Sequence, residues 1–411
     1  MNSVGRQFHK RTIRKVPLKN KVVLVRADYN VPMENGEIAD DFRIRSSVPT
    51  IKRLLQDNCK VVIISHLGRP KGKPDASFSL EPIAQRLAEL LGSEVRFVDA
   101  CIGSKVKMAV KRAPKKSVTL LENVRFHPEE EANDSQFAKR LVTDTGAQYF
   151  VQDGFGVVHR AHASTEVITH FVPSVAGLLI EKEYEHIVGA MRHPHRPLVA
   201  LLGGAKVSDK IQVIEKLVRV ADQIVIGGAM ANTFLAYNGR PVGASMVETG
   251  QEEVLKRIYG AVDKKVSPKF RDNFLVLPTD LAVAKTADET AERRNVRADM
   301  VADDDIILDI GEQSIERMAA ALNRAQTVIW NGTMGMAELP AFAHGSARAA
   351  LELAQHPQIT SIIGGGDTAD FVLHWDARGG DSFTHVSTGG GASIELMAGK
   401  ALPGVEALLD A

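Results

Sequence analysis

The chain has 411 residues, 44% hydrophobic and 25% charged, with a formal net charge of +1. That length favours two domains with ordinary buried cores, and the near-neutral charge predicts no general affinity for nucleic acid or an anionic membrane. No apolar stretch is long enough to span a bilayer and no signal-peptide core opens the chain, while Cys59 and Cys101 lack metal-ligand spacing; a reducing, cytoplasmic setting is expected.

Residues 1–27 hold eight Lys or Arg and no acidic residue, and read as a solvated start that enters the first strand at Leu18–Arg26. Short β-branched runs then recur: KVVLVRADYN (Lys21–Asn30), KVVIISHLGR (Lys60–Arg69), VTLLENVRF (Val118–Phe126) and QYFVQDGF (Gln148–Phe155). Helix candidates lie between them at Arg45–Gln56 and Leu80–Leu91. The second has Ser79 as N-cap, Pro82 in its first turn, and Ile83, Leu87, Leu90 and Leu91 on one face. Phe171–Met191 reads as a turn followed by a linking helix. The second half repeats the unit with PLVALLGGA, QIVIGGA, FLVLPTD, IILDIG, TVIWNG, TSIIGGG and HVSTGGG. Strands alternating with helices predict an α/β protein of two doubly wound parallel-sheet domains joined by this linking helix.

The polar motifs follow the apolar runs, where ligands bind in open α/β sheets. In the first half Arg26, Asp28 and Asn30 end the first run, followed by Arg43, by His66 and Arg69 in SHLGRP, by Arg125, and by Arg160 in HRAH. Guanidinium groups grip phosphate and carboxylate with paired hydrogen bonds, so five such residues after neighbouring strands predict a small, strongly anionic substrate. His159 and His162, three apart, could share a helical face, but no third metal ligand lies nearby. The second half carries 23 of the 33 glycines. Gly364–Gly366 and Gly389–Gly391 each lie between an apolar run and a helix candidate, a setting in which backbone N–H groups cradle phosphate. Lys206 and Lys210 in GGAKVSDK would share a face if helical and read as a phosphate pair. Asp367, beside the first triplet, is a natural Mg²⁺ anchor.

Neither a GxxxxGK[ST] loop nor a protein-kinase motif set occurs. Gly364, Gly366 and Ala369 satisfy the dinucleotide fingerprint, yet lie near the C-terminus without the acid expected about twenty residues later, which disfavours an NAD-dependent dehydrogenase. A non-enzymatic polyanion-binding protein would leave the glycine-rich half unexplained.

The blocks RADYNVP, SHLGRP, LLENVRF, HRAHAS, LGGAKVSDK, WNGTMG, GGGDT and STGGGAS stand in the order seen in phosphoglycerate kinases, and the resemblance runs from about Thr12 to the C-terminus. It implies a monomeric hinge enzyme of glycolysis and gluconeogenesis that transfers phosphate between 1,3-bisphosphoglycerate and ADP, giving 3-phosphoglycerate and ATP. The linking helix would then be a hinge helix. Residues 1–172 would bind phosphoglycerate, with about 398–411 folding back onto them, and 173–397 would bind the Mg-nucleotide. Carried over by motif, Asp28, Tyr29, Asn30, Arg43, His66, Leu67, Gly68, Arg69, Arg125 and Arg160 resemble the phosphoglycerate site. Lys206 and Lys210 resemble the phosphate-facing lysines. Gly227, Gly228, Asn331, Gly332 and the ribose contact Glu338 would line the adenosine cleft, with Gly365, Gly366, Asp367 and Thr368 at the nucleotide phosphates and magnesium. Thr333 stands where the family usually has Pro, and Ala337 where it has Phe. An acceptor carboxylate is ionised at pH 7, so no catalytic base is expected. Arg43, Lys206 and Lys210 are the candidate catalytic residues, with N–H groups of Gly389, Gly390 and Gly391 as donors to the phosphoryl group in transit.

Overall fold

The computed structural model describes residues 8–411, so the first seven residues of the basic start lie outside the described residues. The chain folds into two compact units, one of residues up to Glu185 together with Lys400–Ala411, the other His186–Gly399.

The first unit is built on strands β1 (Val22–Arg26), β4 (Lys60–Ile64), β5 (Val95–Val98), β6 (Ser117–Leu121), β7 (Tyr149–Gln152) and β8 (Ser174–Ala176), with a small hairpin of β2 (Met33–Glu34) and β3 (Glu37–Ile38) beside them. The six strands form one parallel sheet in the order β5-β6-β4-β1-β7-β8. Side chains alternate between its faces. Val23, Val25, Val61 and Ile63 join one buried cluster, against Ile51 and Leu54 of helix Phe42–Gln56 and Ile83 and Leu87 of helix Glu81–Leu91. Leu24, Val62 and Ile64 join the other, against Val106 of helix Ser104–Arg112 and Phe137 and Leu141 of helix Ser135–Thr145. Two covered faces explain why these strands are apolar throughout.

The parallel sheet of the second unit contains β9 (Leu198–Leu202), β10 (Gln223–Ile226), β11 (Leu275–Val276), β15 (Thr327–Asn331), β16 (Thr360–Gly364) and β17 (His385–Val386). Their order is β11-β10-β9-β15-β16-β17, the doubly wound order whose direction reverses between β9 and β15. A separate antiparallel sheet holds β12 (Asp280–Ala284), β13 (Arg294–Arg297) and β14 (Ile306–Ile310).

Several expectations change. The run IILDIG is β14 and belongs to the separate sheet, where it pairs antiparallel with β12, with β13 on the other side of β12. FLVLPTD divides between β11 and β12 around Pro278. The segment expected as a turn before the linking helix contains β8, and the helix is Leu178–Arg192. Helix Glu81–Leu91 has Leu80 as its N-cap residue. Ser79 Oγ accepts from Glu81 N and donates to Glu122, whose carboxylate also takes Leu80 N–H at 2.9 Å.

The tail closes on the start of the chain. Lys10 pairs in a bridge with Asp410, Arg11 N donates to Leu409 O at 2.8 Å, and Leu409 N donates to Ser174 O of β8 at 3.0 Å.

Asp153, just past β7, caps helix Leu178–Arg192. Its Oδ1 accepts Leu179 N–H at 3.0 Å, while Thr50 Oγ1 accepts Leu178 N–H at 2.9 Å. Burial pushes this carboxyl up to about 7. A raised folded-state value means that the native chain keeps a proton the unfolded chain has released. The stability tied to this proton is therefore full below about pH 4 and is lost as pH rises through the folded value near 7. Urea denaturation between pH 5 and 8 is expected to show stability falling by up to about 1.4 kcal/mol per pH unit from this group, and the falling component to vanish in Asp153→Asn. An unchanged profile in the variant would remove Asp153 as the cause.

Candidate active site

In the first unit the loops leaving β1, β4, β6 and β7 converge on the carboxyl edge of the sheet. Arg43, from the start of helix Phe42–Gln56, places Nη1 2.6 Å from Asn30 O and 3.7 Å from Asp28 Oδ2. Asn30 Oδ1 accepts Gly68 N–H at 2.8 Å, and Gly68 O accepts Arg125 Nη1 at 2.9 Å. The structure thus joins Asp28, Asn30, Arg43, Gly68 and Arg125 in one chain of contacts. Gly68 is required there: its φ is +62°, and a Cβ would stand 2.3 Å from the Phe78 ring. Arg69 and Arg160 are exposed, with Arg160 Nε 3.2 Å from the His159 ring. The side chains of Tyr29 and Leu67 are buried, and the Tyr29 hydroxyl lies 2.9 Å from Ser47 Oγ. For these two only the backbone remains to face a ligand.

Arg26 does not join the anion-gripping group expected of it. Fully buried, it hydrogen-bonds Ser164 Oγ at 2.7 Å, the Ala27 carbonyl, and His66 Nδ1 at 3.2 Å, with Glu130 Oε1 at 4.0 Å. Glu130 in turn accepts Ser164 N–H at 3.0 Å, anchoring the HRAHAS loop. A guanidinium can only donate, so His66 Nδ1 is an acceptor and Nε2 carries the proton. Burial, then the charges of Arg26, Arg125 and Arg43, hold His66 well below its ordinary value. It is neutral at pH 7. Burial, then the charges of Arg125, Arg26 and Arg160, lower His162 to about 4. His159 and His162 lie beyond the short turn Phe155–Val157 rather than on a helix. Among the described residues no group of His, Cys, Asp or Glu could hold a metal ion by itself. Glu130 was invisible to motif reasoning, because a buried counter-charge has no local pattern, and Ser164 was seen only as the end of the HRAHAS block.

In the second unit the glycine loops gather where the sheet reverses. Asn331 and Leu202 are paired at the ends of β15 and β9. Gly227, Gly228 and Gly332 pack backbone against backbone there: Gly228 has φ +62°, and a Cβ on it would stand 2.5 Å from Gly204 N. Thr368, buried, accepts Gly332 N–H at 2.6 Å. Asn331 is buried and its Nδ2 finds no acceptor among the described residues, though it lies beside the Gly365 turn. Gly365 has φ +96° and precedes helix Gly366–Trp375, whose first turn carries the exposed Asp367. Gly389 N already donates to Ser387 Oγ at 3.1 Å, and Gly390 has φ +45° before helix Gly391–Met397.

The lysines do not share a helical face. Ser208–Lys210 is a single tight turn, and the helix begins at Ile211. Lys206 is exposed, whereas Lys210 is buried and donates to Gly203 O at 2.6 Å and Asn331 O at 3.0 Å. Burial lowers its ammonium to about 8, with Asp367 and Asp209 opposing the shift.

Beside this junction lies a slot of about 360 Å³, walled by Gly228, Leu281, Ile307, Met334 and Met336, with Glu338 and Asp367 also on its lining. Thr333, Glu338 and Asp367 also border an adjoining hollow of about 450 Å³, closed by Ala337, Phe371 and Trp375. Apolar walls with a few convergent polar groups suit a nucleoside.

The phosphoglycerate kinase family model matches residues 13–400. The chain belongs to the phosphoglycerate kinase family. It is 46% identical over 401 residues to the phosphoglycerate kinase of Pelotomaculum thermopropionicum, covering 98% of this chain and 99% of that one. It is 47% identical over 400 residues to the chloroplastic phosphoglycerate kinase of Volvox carteri, covering 96% and 84%. The solved phosphoglycerate kinase of Coxiella burnetii superimposes with a TM-score of 0.82 at 35% identity, over 97% of this chain and 98% of that one. The protein is therefore a phosphotransferase with a carboxyl group as acceptor, acting in glycolysis. The dehydrogenase alternative finds no support: the glycine triplet follows the fifth strand of its parallel sheet, whereas a dinucleotide fingerprint follows the first.

Removing Glu130 would strand the buried Arg26 charge. Glu130→Ala is expected to cost about 3–5 kcal/mol in urea denaturation, while Arg160→Ala, at an exposed position, should stay within about 0.5 kcal/mol. Equal effects would show that the buried pair is not what holds this loop.

Proposed function

We propose that this chain carries out Mg²⁺-dependent phosphoryl transfer between 1,3-bisphosphoglycerate and ADP, with the glycerate on the first unit and the nucleotide on the second. The observation that carries the assignment of the nucleotide is the Gly365–Gly366 turn opening helix Gly366–Trp375, next to the apolar slot that Asp367 of that helix lines. Backbone N–H groups at a helix N-terminus favour a phosphate there. Gly227, Gly228 and Gly332 let the backbone come close, and Glu338 is positioned for a ribose hydroxyl. Asp367 fits Mg²⁺, since that ion commonly takes one carboxylate plus phosphate oxygens and needs no protein cage. When bound it would neutralise phosphate charge.

On the first unit Arg43, Arg69, Arg125 and Arg160 supply charge for an anionic substrate, and neutral His66 supplies an Nε2–H donor. Asp28 and the Asn30 carbonyl orient Arg43. The acceptor carboxylate is already ionised, so the protein needs no base. Its work is to align donor and acceptor and to stabilise the moving phosphoryl group. Arg43 and Lys206 clasp that group. Lys210 acts from beneath, by fixing Gly203 and Asn331. Gly390 and Gly391 are the remaining N–H donors of the second triplet. Transfer requires the units to close on one another with both ligands bound, which also keeps water from the acyl phosphate. The chain acts as a monomer, in a reducing, cytoplasmic compartment with which the two buried free thiols accord.

The direct test is ATP-dependent phosphorylation of 3-phosphoglycerate, coupled to NADH oxidation through glyceraldehyde-3-phosphate dehydrogenase. Turnover should vanish when Mg²⁺ is chelated or 3-phosphoglycerate is omitted. Arg43→Ala should lower kcat by about 10³ or more with little change in KM for ATP, on the scale of arginine groups in other phosphoryl transfers; an unchanged kcat would sink that role. Small-angle scattering should give a smaller radius of gyration with both ligands than with either alone. Identical profiles in all states would argue against closure.

A further inference from the structure

A second cleft of about 740 Å³ lies in the same unit as the proposed nucleotide slot but on other residues, beside the edge strand β11. Its lining is mainly polar, with Leu235, Leu275, Pro278 and Ala298 as apolar patches, and four guanidinium groups enter it. Two of these are already committed. Arg271 forms a paired contact with Asp263 at 2.8 and 2.5 Å and stacks over Tyr259, while Arg297 pairs with Asp299 at 3.0 and 2.7 Å.

The other two are not. Arg317 gives one hydrogen bond, from Nη2 to Asp272 O at 3.0 Å. Arg240 forms no side-chain hydrogen bond or ion pair among the described residues, and acts on Asp299 only through space. Of the two acids on the lining, Asp299 is held by Arg297, which leaves Asp272 as the other acid facing this pair. Guanidinium donors that face a common hollow with donors to spare are matched by a carboxylate or phosphate, which accepts two parallel bonds from each.

We infer that this cleft is a second anion-binding site, distinct from the catalytic groups, which takes a small dianionic or more highly charged metabolite between Arg240 and Arg317. The volume admits more than a bare ion. The cleft also shares a wall with the nucleotide slot: helix Gly228–Tyr237 lines the slot with Gly228 and Asn232, and Leu235 and Asn238 at its far end line the cleft. Helix Glu312–Leu322, which carries Arg317, is capped by Asp280, whose carboxylate accepts the N–H groups of Gln313 and Ser314 at 2.9 and 2.8 Å.

The test is calorimetric titration of the full chain at fixed ionic strength, without metal and with saturating 3-phosphoglycerate and ADP. Pyrophosphate serves as the phosphate probe and citrate as the carboxylate probe. Saturable binding of either is expected, with Kd raised at least tenfold in Arg240→Ala and in Arg317→Ala; whichever probe binds identifies the ligand chemistry. Arg240 is exposed and its side chain makes no hydrogen bond, so Arg240→Ala should keep the wild-type melting temperature and the basal phosphotransfer rate. Because the readout is the loss on substitution in the cleft, it stands whether or not the catalytic assignment holds. Binding of neither probe, or binding indifferent to both substitutions, would overturn the inference.

Discussion

A buried ammonium underlies the geometry of the second unit. Lys210 ties the carbonyl after β9 to the carbonyl ending β15, at the point where the sheet reverses direction and the strand ends diverge. Asn331 O also accepts Gly203 N–H at 3.0 Å, and the ammonium adds a charged donor shared by both carbonyls. The charge costs desolvation, visible in its ammonium lowered to about 8, yet it remains protonated at neutral pH. Glycine loops above it can then approach one another at backbone distance. The first unit uses the same device in another residue: Arg26 ends β1 and binds the next carbonyl, Ser164 and His66. In both units a fixed positive charge lies under the loops that face solvent.

This arrangement separates charges spent inside the protein from charges left at its surface. Arg26, Glu130 and Lys210 are inaccessible, so they set shape and field. Arg43, Arg69, Arg160 and Lys206 remain at least partly exposed and free to exchange water for an anion. The histidines follow the same division. A charged His66 among Arg26, Arg43 and Arg125 would be repelled by each, so the field keeps it neutral and usable as a directed donor.

Much of this was legible in the residues. Strands buried on both faces announce themselves as unbroken Val/Ile/Leu runs, and the polar motifs sit at their ends because that edge is where a parallel sheet opens to ligand. Edge strands were lost: Val95–Val98 is interrupted by the exposed Arg96, and Ser174–Ala176 is short and follows Pro173. The role of a charge was also illegible. Arg26 and Arg43 read alike as strand-end arginines, and only packing shows that one is spent inside the protein. Spacing likewise suggested a lysine pair on one face, but the turn at Ser208–Lys210 sends Lys210 inward and leaves Lys206 outside.

The pairing of residues 9–11 with the tail makes the second unit an insertion within the first. During vectorial synthesis the first unit emerges earliest but lacks its last element until residues 400–411 leave the ribosome. The second unit, continuous in sequence, can complete its core before then. The order in which the units finish folding is therefore the reverse of the order in which they begin.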